Sequence, residues 1–235
     1  MDDVRAPAAS VAAALHDVAA LGGFFALYIG GRDDGWHPLA RSYAVGCADL
    51  AEAVARRHHT PEARIDVSIA QLGHAARLWS PALACVVLHG IVPDLEGLQR
   101  ADDGPALRVP RPAGWHVDQL DDPVGALYTQ VTRHLQALAG GLRVKIAPRL
   151  LDGNSASALA GAAHALLAAR PAVRGPLTDL TTTLLGTGRL AGTGTITGPD
   201  LAFRRRSCCL YYRAPNGSKC GDCGLADHTS QRALG

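Results

Sequence analysis

Four of the six cysteines of this chain, Cys208, Cys209, Cys220 and Cys223, fall in one short stretch, R-R-R-S-C-C-L-Y-Y-R-A-P-N-G-S-K-C-G-D-C-G, with the spacing C-C-x10-C-x2-C. No other feature constrains the fold as tightly. The tail must loop back so that four thiols meet, and four thiolates are soft ligands suited to zinc or to an iron–sulfur cluster. Cys220-Gly-Asp-Cys223 is a chelating turn: two intervening residues let both sulfurs face one ion, and Gly221 and Gly224 relax the backbone. Cys208 and Cys209 obey a different geometry. Neighbours in extended chain point to opposite sides, so this pair does not easily chelate one ion without a kink. A zinc ribbon brings two spaced pairs to one tetrahedral ion. A dinuclear [2Fe–2S] cluster shares its ligands between two irons and relaxes that demand. The spacing therefore favours iron–sulfur, with zinc and a strained vicinal disulfide as alternatives.

The 235-residue chain as a whole is 48% hydrophobic but only 5% aromatic. A core built from Ala, Leu and Val favours helices. The length allows one domain, or one domain with a small appendage. A formal charge of +2 argues against a dedicated nucleic-acid binder. The acidic opening Met-Asp-Asp-Val-Arg lacks the basic start and apolar run of a secretory signal. The most apolar run, Pro81 to Val92, is too short to span a bilayer. The expectation is a soluble cytoplasmic protein, where clustered cysteines bind metal more often than they form disulfides.

The pattern along the chain predicts an α+β fold, a mainly α-helical body with short β elements and a cysteine-rich loop at its C-terminal end. Helices are expected over Ser10 to Leu21, Asp49 to His59, from about Pro61 through Ala76, around Leu83 to Leu88 and over Pro123 to Ala139. Two more are expected, one from a cap at Asn154 or Ser155 to Arg170 and one over Leu177 to Leu185. Ser80-Pro81 reads as a break. Phe24 to Ile29 reads as a strand, and Pro93 to Pro123 as loop with one hairpin. The expected organisation is a body over 1–185, a Gly/Thr-rich linker over 186–200, and a cluster-binding module over 201–235.

Arg204, Arg205, Arg206, Arg213 and Lys219 flank the cysteines. Such cations would favour the reduced, more negative form of a bound cluster. Arg204 to Arg206 are the candidate basic lip for a neutral or anionic substrate. Tyr211 and Tyr212 either shield the site from water or pack the tail onto the body. Other features carry less. Cys85, within A-C-V-V-L, reads as a small buried hydrophobe. His58-His59 reads as surface, and His228 as a rival ligand made redundant by four cysteines. Ser155 and Ser157 suit a helix cap better than a nucleophile elbow. G-T-G-R-L-A-G-T-G lacks the lysine and setting of a phosphate loop.

The C-C-x10-C-x2-C pattern, preceded by F-R-R-R-S and followed by Tyr-Tyr-Arg, resembles the FhuF-like ferric siderophore reductases. R-L-W-S-P over residues 77–81 and D-G-N-S-A-S-A over residues 152–158 are similar to that family in position and type. The resemblance implies a [2Fe–2S] cluster on Cys208, Cys209, Cys220 and Cys223. It further implies an oxidoreductase that reduces siderophore-bound Fe(III) and releases iron in the cytoplasm. A ferric siderophore is then the substrate, and a ferredoxin or flavoprotein reductase the electron source, since no NAD(P) or flavin fingerprint is visible. Association with the inner membrane face beside a transporter is compatible with this role. A zinc-stabilised adaptor or regulator, and a siderophore-binding protein without redox activity, are the competing readings.

Overall fold

The computed structural model describes residues 5–225, so His228 lies outside the described residues. Seven α-helices and eight short strands follow one another in the order α1 (Ala8–Ala19), β1 (Tyr28–Ile29), β2 (Trp36–Pro38), α2 (Leu39–Ala44), α3 (Ala48–His58), α4 (Ala63–His89), β3 (Ile91–Pro93), β4 (Gln99–Ala101), β5 (Leu107–Val109), β6 (Gly114–His116), α5 (Pro123–Gly141), α6 (Pro148–Ala169), α7 (Arg174–Leu185), β7 (Gly194–Ile196) and β8 (Phe203–Arg205). The helical α+β class read from composition and periodicity is the one observed.

Helix α4 is the axis of the body. Its most extensive contact is with α6, and α1, α3 and α5 also pack against it. Trp79, at the centre of α4, is fully buried, and its indole N–H donates to Ser155 Oγ of α6 at 3.0 Å. The alanines along α6, among them Ala156, Ala160 and Ala163, are also buried. Small side chains there leave room for a close approach of the two helices, in keeping with the ridge-and-groove logic of helix packing.

The expected break at Ser80-Pro81 does not occur: α4 runs through Pro81 to His89 and stops at Gly90, whose φ of 62° is left-handed. An internal proline removes one helix hydrogen bond at a cost of about 3 kcal/mol. Leu78, Trp79, Ala82, Leu83 and Cys85 all enter the core around it. Burial at about 1.5–3 kcal/mol per large side chain offsets the penalty. Asn154 is likewise not a cap. Helix α6 begins at Pro148, with the proline in its first turn, and Asn154 sits inside it, fully buried.

The β elements are more extensive than one hairpin. Strands β4 and β5 form that hairpin, flanked by β2 antiparallel to β4 and by β1 parallel to β5. Strand β3 pairs with β6. Only Tyr28 and Ile29 of the expected first strand are extended, because Gly23–Phe25 forms a 3₁₀ turn. The Gly/Thr-rich stretch read as a linker is packed: Leu190 and Thr193 are buried, and β7 pairs with β8 in a hairpin that leads into the cysteines. Among the described residues, no helix is long and apolar enough to cross a membrane.

Candidate metal centre

Strand β8 ends at Arg205, and the chain turns at once into Ser207, Cys208 and Cys209. Leu210 adopts a left-handed φ of 69°, a one-residue kink that folds the chain back. Its N–H reaches Cys208 Sγ at 3.3 Å. A 3₁₀ turn over Tyr211–Arg213 follows. It is pinned to the body by an Arg213–Glu62 ion pair at 2.8 Å and by the edge of Tyr211 against the His58 ring, 5.4 Å between centroids. Of the two tyrosines, Tyr211 packs the tail onto the body while Tyr212 stays exposed. Gly217 then passes so close to the Tyr211 carbonyl that any Cβ would stand 1.8 Å from its oxygen. The return brings in Cys220-Gly-Asp-Cys223, a tight turn in which the Cys223 N–H donates to the Cys220 carbonyl at 3.0 Å.

All four thiols are free. They meet as two pairs, each combining one of the adjacent cysteines with one from the C-x2-C turn. Cys209 Sγ lies 3.7 Å from Cys220 Sγ, and Cys223 neighbours Cys208 closely enough to help raise its thiol. The adjacent residues thus diverge: Cys209 is buried and Cys208 half-buried. A tetrahedral ion bound at about 2.3 Å holds its ligand sulfurs about 3.8 Å apart, close to the spacing of the Cys209–Cys220 pair. Among the described residues, no group of three or more His, Cys, Asp or Glu side chains closes around one point. Ser207 Oγ, next to Cys208, is buried without a hydrogen-bond partner, an O–H that a sulfur acceptor would satisfy.

A buried polar chain ties this loop to the central helices. Ser68 of α4 donates to the Cys209 carbonyl at 2.8 Å, and Asn154 of α6 donates to the Ser68 hydroxyl and carbonyl at 3.1 and 3.0 Å. Asn154 Oδ1 accepts from Arg205 Nη1 at 2.8 Å, and Arg205 Nε donates to Asp222 Oδ2 at 2.9 Å. Ser157 of α6 joins both, accepting from Arg205 and donating to Asp222. The backbone closes the ring, with the Arg205 N–H on the Asp222 carbonyl at 3.0 Å. Gly224 completes the fit, since a Cβ there would come within 2.6 Å of the Arg205 carbonyl oxygen.

The thiols feel this environment. A hydrogen bond from Cys220 stabilises the Cys209 thiolate; burial opposes it, and nearby Arg205 adds to it, so the Cys209 thiol is pulled down to about 6. Cys220, as the donor, is pushed up by the same bond and by burial. Burial raises Cys208. Burial also works against the Asp222 carboxylate, but Arg205 outweighs it and holds Asp222 below its ordinary value. One thiol of the inner pair is therefore primed as a thiolate, the form that binds metal.

Residues 205–224 match the family model of the FhuF 2Fe-2S C-terminal domain. The C-terminal segment is a FhuF-type [2Fe–2S] domain. Its cofactor is a [2Fe–2S] cluster, as the thiol spacing suggested. No curated protein and no solved structure matches the chain. The three arginines ahead of the FhuF-type cysteines separate in space. Arg206 is exposed and Arg204 half-buried, but Arg205 is only 2% exposed and fully engaged. It does not belong to a basic lip, because its charge is spent inside the domain on Asp222. Ser68 and Asp222 carried no signal of their own in the sequence. The Gly-Asn pair was visible, but its purpose was not: Gly153 has no side chain, so Ser207 lies against α6, where a Cβ would stand 2.0 Å from its hydroxyl.

Cys47 and Cys85 lie in the body, with burial raising their thiols to about 11 and about 12. Both are inert packing residues by that criterion.

Proposed function

We propose that this protein is a ferric siderophore reductase, in which Cys208, Cys209, Cys220 and Cys223 hold the cluster. The observation that carries this reading is the joining of a FhuF-type domain to four free thiols arranged as two pairs. Two thiolates per iron is the requirement of an all-cysteine dinuclear cluster. When bound, the cluster supplies a one-electron couple able to convert siderophore Fe(III) to Fe(II), which hard oxygen donors hold far less tightly.

The chain's own residues set the conditions. Cys209, already favoured as a thiolate, and Ser207, with an unsatisfied hydroxyl, prepare the site for an electron-rich group. Arg205 places a permanent cation beside Cys209 and Cys220, which favours the extra negative charge of a reduced site. Asp222 holds that guanidinium in place and moderates its field. Ser68 and Asn154 fix the loop on α4 and α6, so that little rearrangement accompanies a change of charge. The proposed electron source is a ferredoxin or flavoprotein reductase, and the proposed setting is cytoplasmic.

The test is anaerobic reconstitution with iron and sulfide, followed by reduction and mixing with ferric siderophores of hydroxamate and catecholate type under a ferrous-iron trap. Visible iron–sulfur absorbance that returns to the oxidised spectrum, with about one Fe(II) trapped per reduced cluster, is the expected outcome. Replacing any of the four cysteines by Ser abolishes it. Stoichiometric zinc without sulfide, or a reduced protein that no ferric siderophore reoxidises, overturns the reading.

A further inference from the structure

Two cavities meet on α6 beside the cluster loop. The first, of about 420 Å³, is walled by Gly221 and Asp222, the two residues between Cys220 and Cys223, and by His164, Phe203 and Arg204. The second, of about 590 Å³, lies between α6, α4 and the Gly23–Phe25 turn, and Phe24, Phe25, Ile69 and Leu72 line it. Among the described residues, no charged side chain lines this second cavity, and the nearest cation, Arg77, is turned onto the Phe24 ring, 4.9 Å from its centroid, and onto the Gly73 carbonyl. Ser157 and Gly161 line both. Gly161 is exposed, and a Cβ built on it meets nothing within 4 Å. The boundary between the cavities is therefore a low saddle, bare at Gly161 and bordered by the short Ser157 side chain, and the two form one trough that crosses α6.

We propose that this trough seats the ferric siderophore, with Gly161 as the residue that keeps it open. The assignment rests on the reductase reading above and adds to it a place and a shape. The trough ends on the exposed tip of the C-x2-C turn, where Gly221 is open to solvent and Cys220 half-buried beside it. A ferric chelate turns its oxygen donors inward onto the metal and leaves its carbon framework outside. The uncharged end suits that framework. The end beside the cysteines carries Arg204 and His164 together with the Asp222 carboxylate, itself paired with Arg205, a polar lining that complements the oxygen-rich coordination sphere. Pockets of this size, mostly apolar with a few convergent polar groups, are the usual form of small-molecule sites. Of the three arginines expected at a basic lip, Arg204 is the one that reaches it.

Gly161→Leu tests the proposal with little risk to the fold. The position is inside a helix, has open space beyond it, and favours a better helix former than Gly by about 1 kcal/mol. Gly140→Leu, at an equally open position on α5, is the control. With each reduced holoprotein, the second-order rate of reoxidation is measured with ferric tris-hydroxamate and tris-catecholate chelates and with ferricyanide, which is small enough to need no trough. Binding of the redox-inert Ga(III) chelates to the oxidised proteins is measured in parallel.

The expected result is a loss of about tenfold or more in siderophore rate and in Ga(III)-chelate affinity for Gly161→Leu, a smaller loss for Gly161→Ala and none for Gly140→Leu, with cluster absorbance and ferricyanide rate unchanged and a thermal midpoint no lower than the parent's. A parent that reacts with ferric siderophore while Gly161→Leu matches it overturns the trough and leaves the reductase reading standing. A parent that binds the Ga(III) chelate but never reduces the ferric one, with binding lost in Gly161→Leu, sinks the reductase reading and keeps the trough. Slower reduction by ferredoxin with unchanged siderophore steps would give the trough to the electron donor and overturn the proposal.

Discussion

Arg205 concentrates the chemistry of this protein in one side chain. Its guanidinium is almost wholly removed from water, and Asp222, Asn154 and Ser157 all accept from it. Deleting one partner of such a buried pair strands the other, at a cost of roughly 3–5 kcal/mol. Arg205→Met is accordingly expected to lose stability of that order in chemical denaturation of the apoprotein, and to lower the midpoint potential of whatever cluster it retains. Arg205→Lys keeps the charge but not the planar fork that serves three acceptors at once. It should hold the potential near the parent's while still losing stability. A Met variant with parental stability and potential would show that the network is ornamental. The sequence marked Arg205 only as one of three consecutive arginines. Its alternation with Arg204 and Arg206 across β8 decides which of them faces inward, and that register comes from pairing with β7.

At the scale of elements, the loop from Cys208 to Cys223 depends on backbone contacts as well as on sulfur. Gly217 against the Tyr211 carbonyl is the tightest of them. Gly217→Ala should destabilise the loop by about 1–3 kcal/mol, the usual cost of overpacking, and reduce the cluster absorbance recovered per protein on anaerobic reconstitution. Gly221→Ala, whose Cβ meets nothing within 4 Å, should reconstitute like the parent; equal recovery from both variants would remove the steric argument. Helix positions were largely legible, because α1, α3, α5 and α7 carry their own periodicity and stop signals. Helix α4 was read as two pieces because Pro81 is a local stop signal, and only the core contacts of Trp79 and Leu83 overrule it. The two- and three-residue strands were mostly missed. Their pairing partners are remote in sequence, as with Tyr28 and Arg108, and segments so short carry no alternation to read.

Across the whole molecule, the helical body has a pH response of its own, separate from the tail. His74 is fully buried, held neutral and lowered to about 3 by burial first and by His134 second. His134 is lowered to about 4, again chiefly by burial, against a hydrogen bond to the Leu95 carbonyl that works the other way. Both values lie below that of an unfolded histidine, near 6.5, so the unfolded chain takes up protons first as pH falls. Their contribution is complete above about pH 6.5 and is lost progressively on the way down to about 4 and 3, at roughly 1.4 kcal/mol per histidine per pH unit. The thermal midpoint should fall between pH 6.5 and 5, and the fall should be clearly shallower in His134→Gln, which keeps an N–H donor for Leu95. An unchanged slope in that variant would refute the assignment. The sequence by itself named four candidate ligands, favoured a dinuclear cluster and showed the helical character of the chain, because donor chemistry and helix periodicity are properties of near neighbours. The tertiary structure alone decided which thiol faces which, that Arg205 turns inward while Arg204 borders a cavity, that Asn154 tethers the loop instead of capping a helix, and that α6 carries an open trough. Each of those depends on burial created by segments far apart in the chain, which no local pattern encodes.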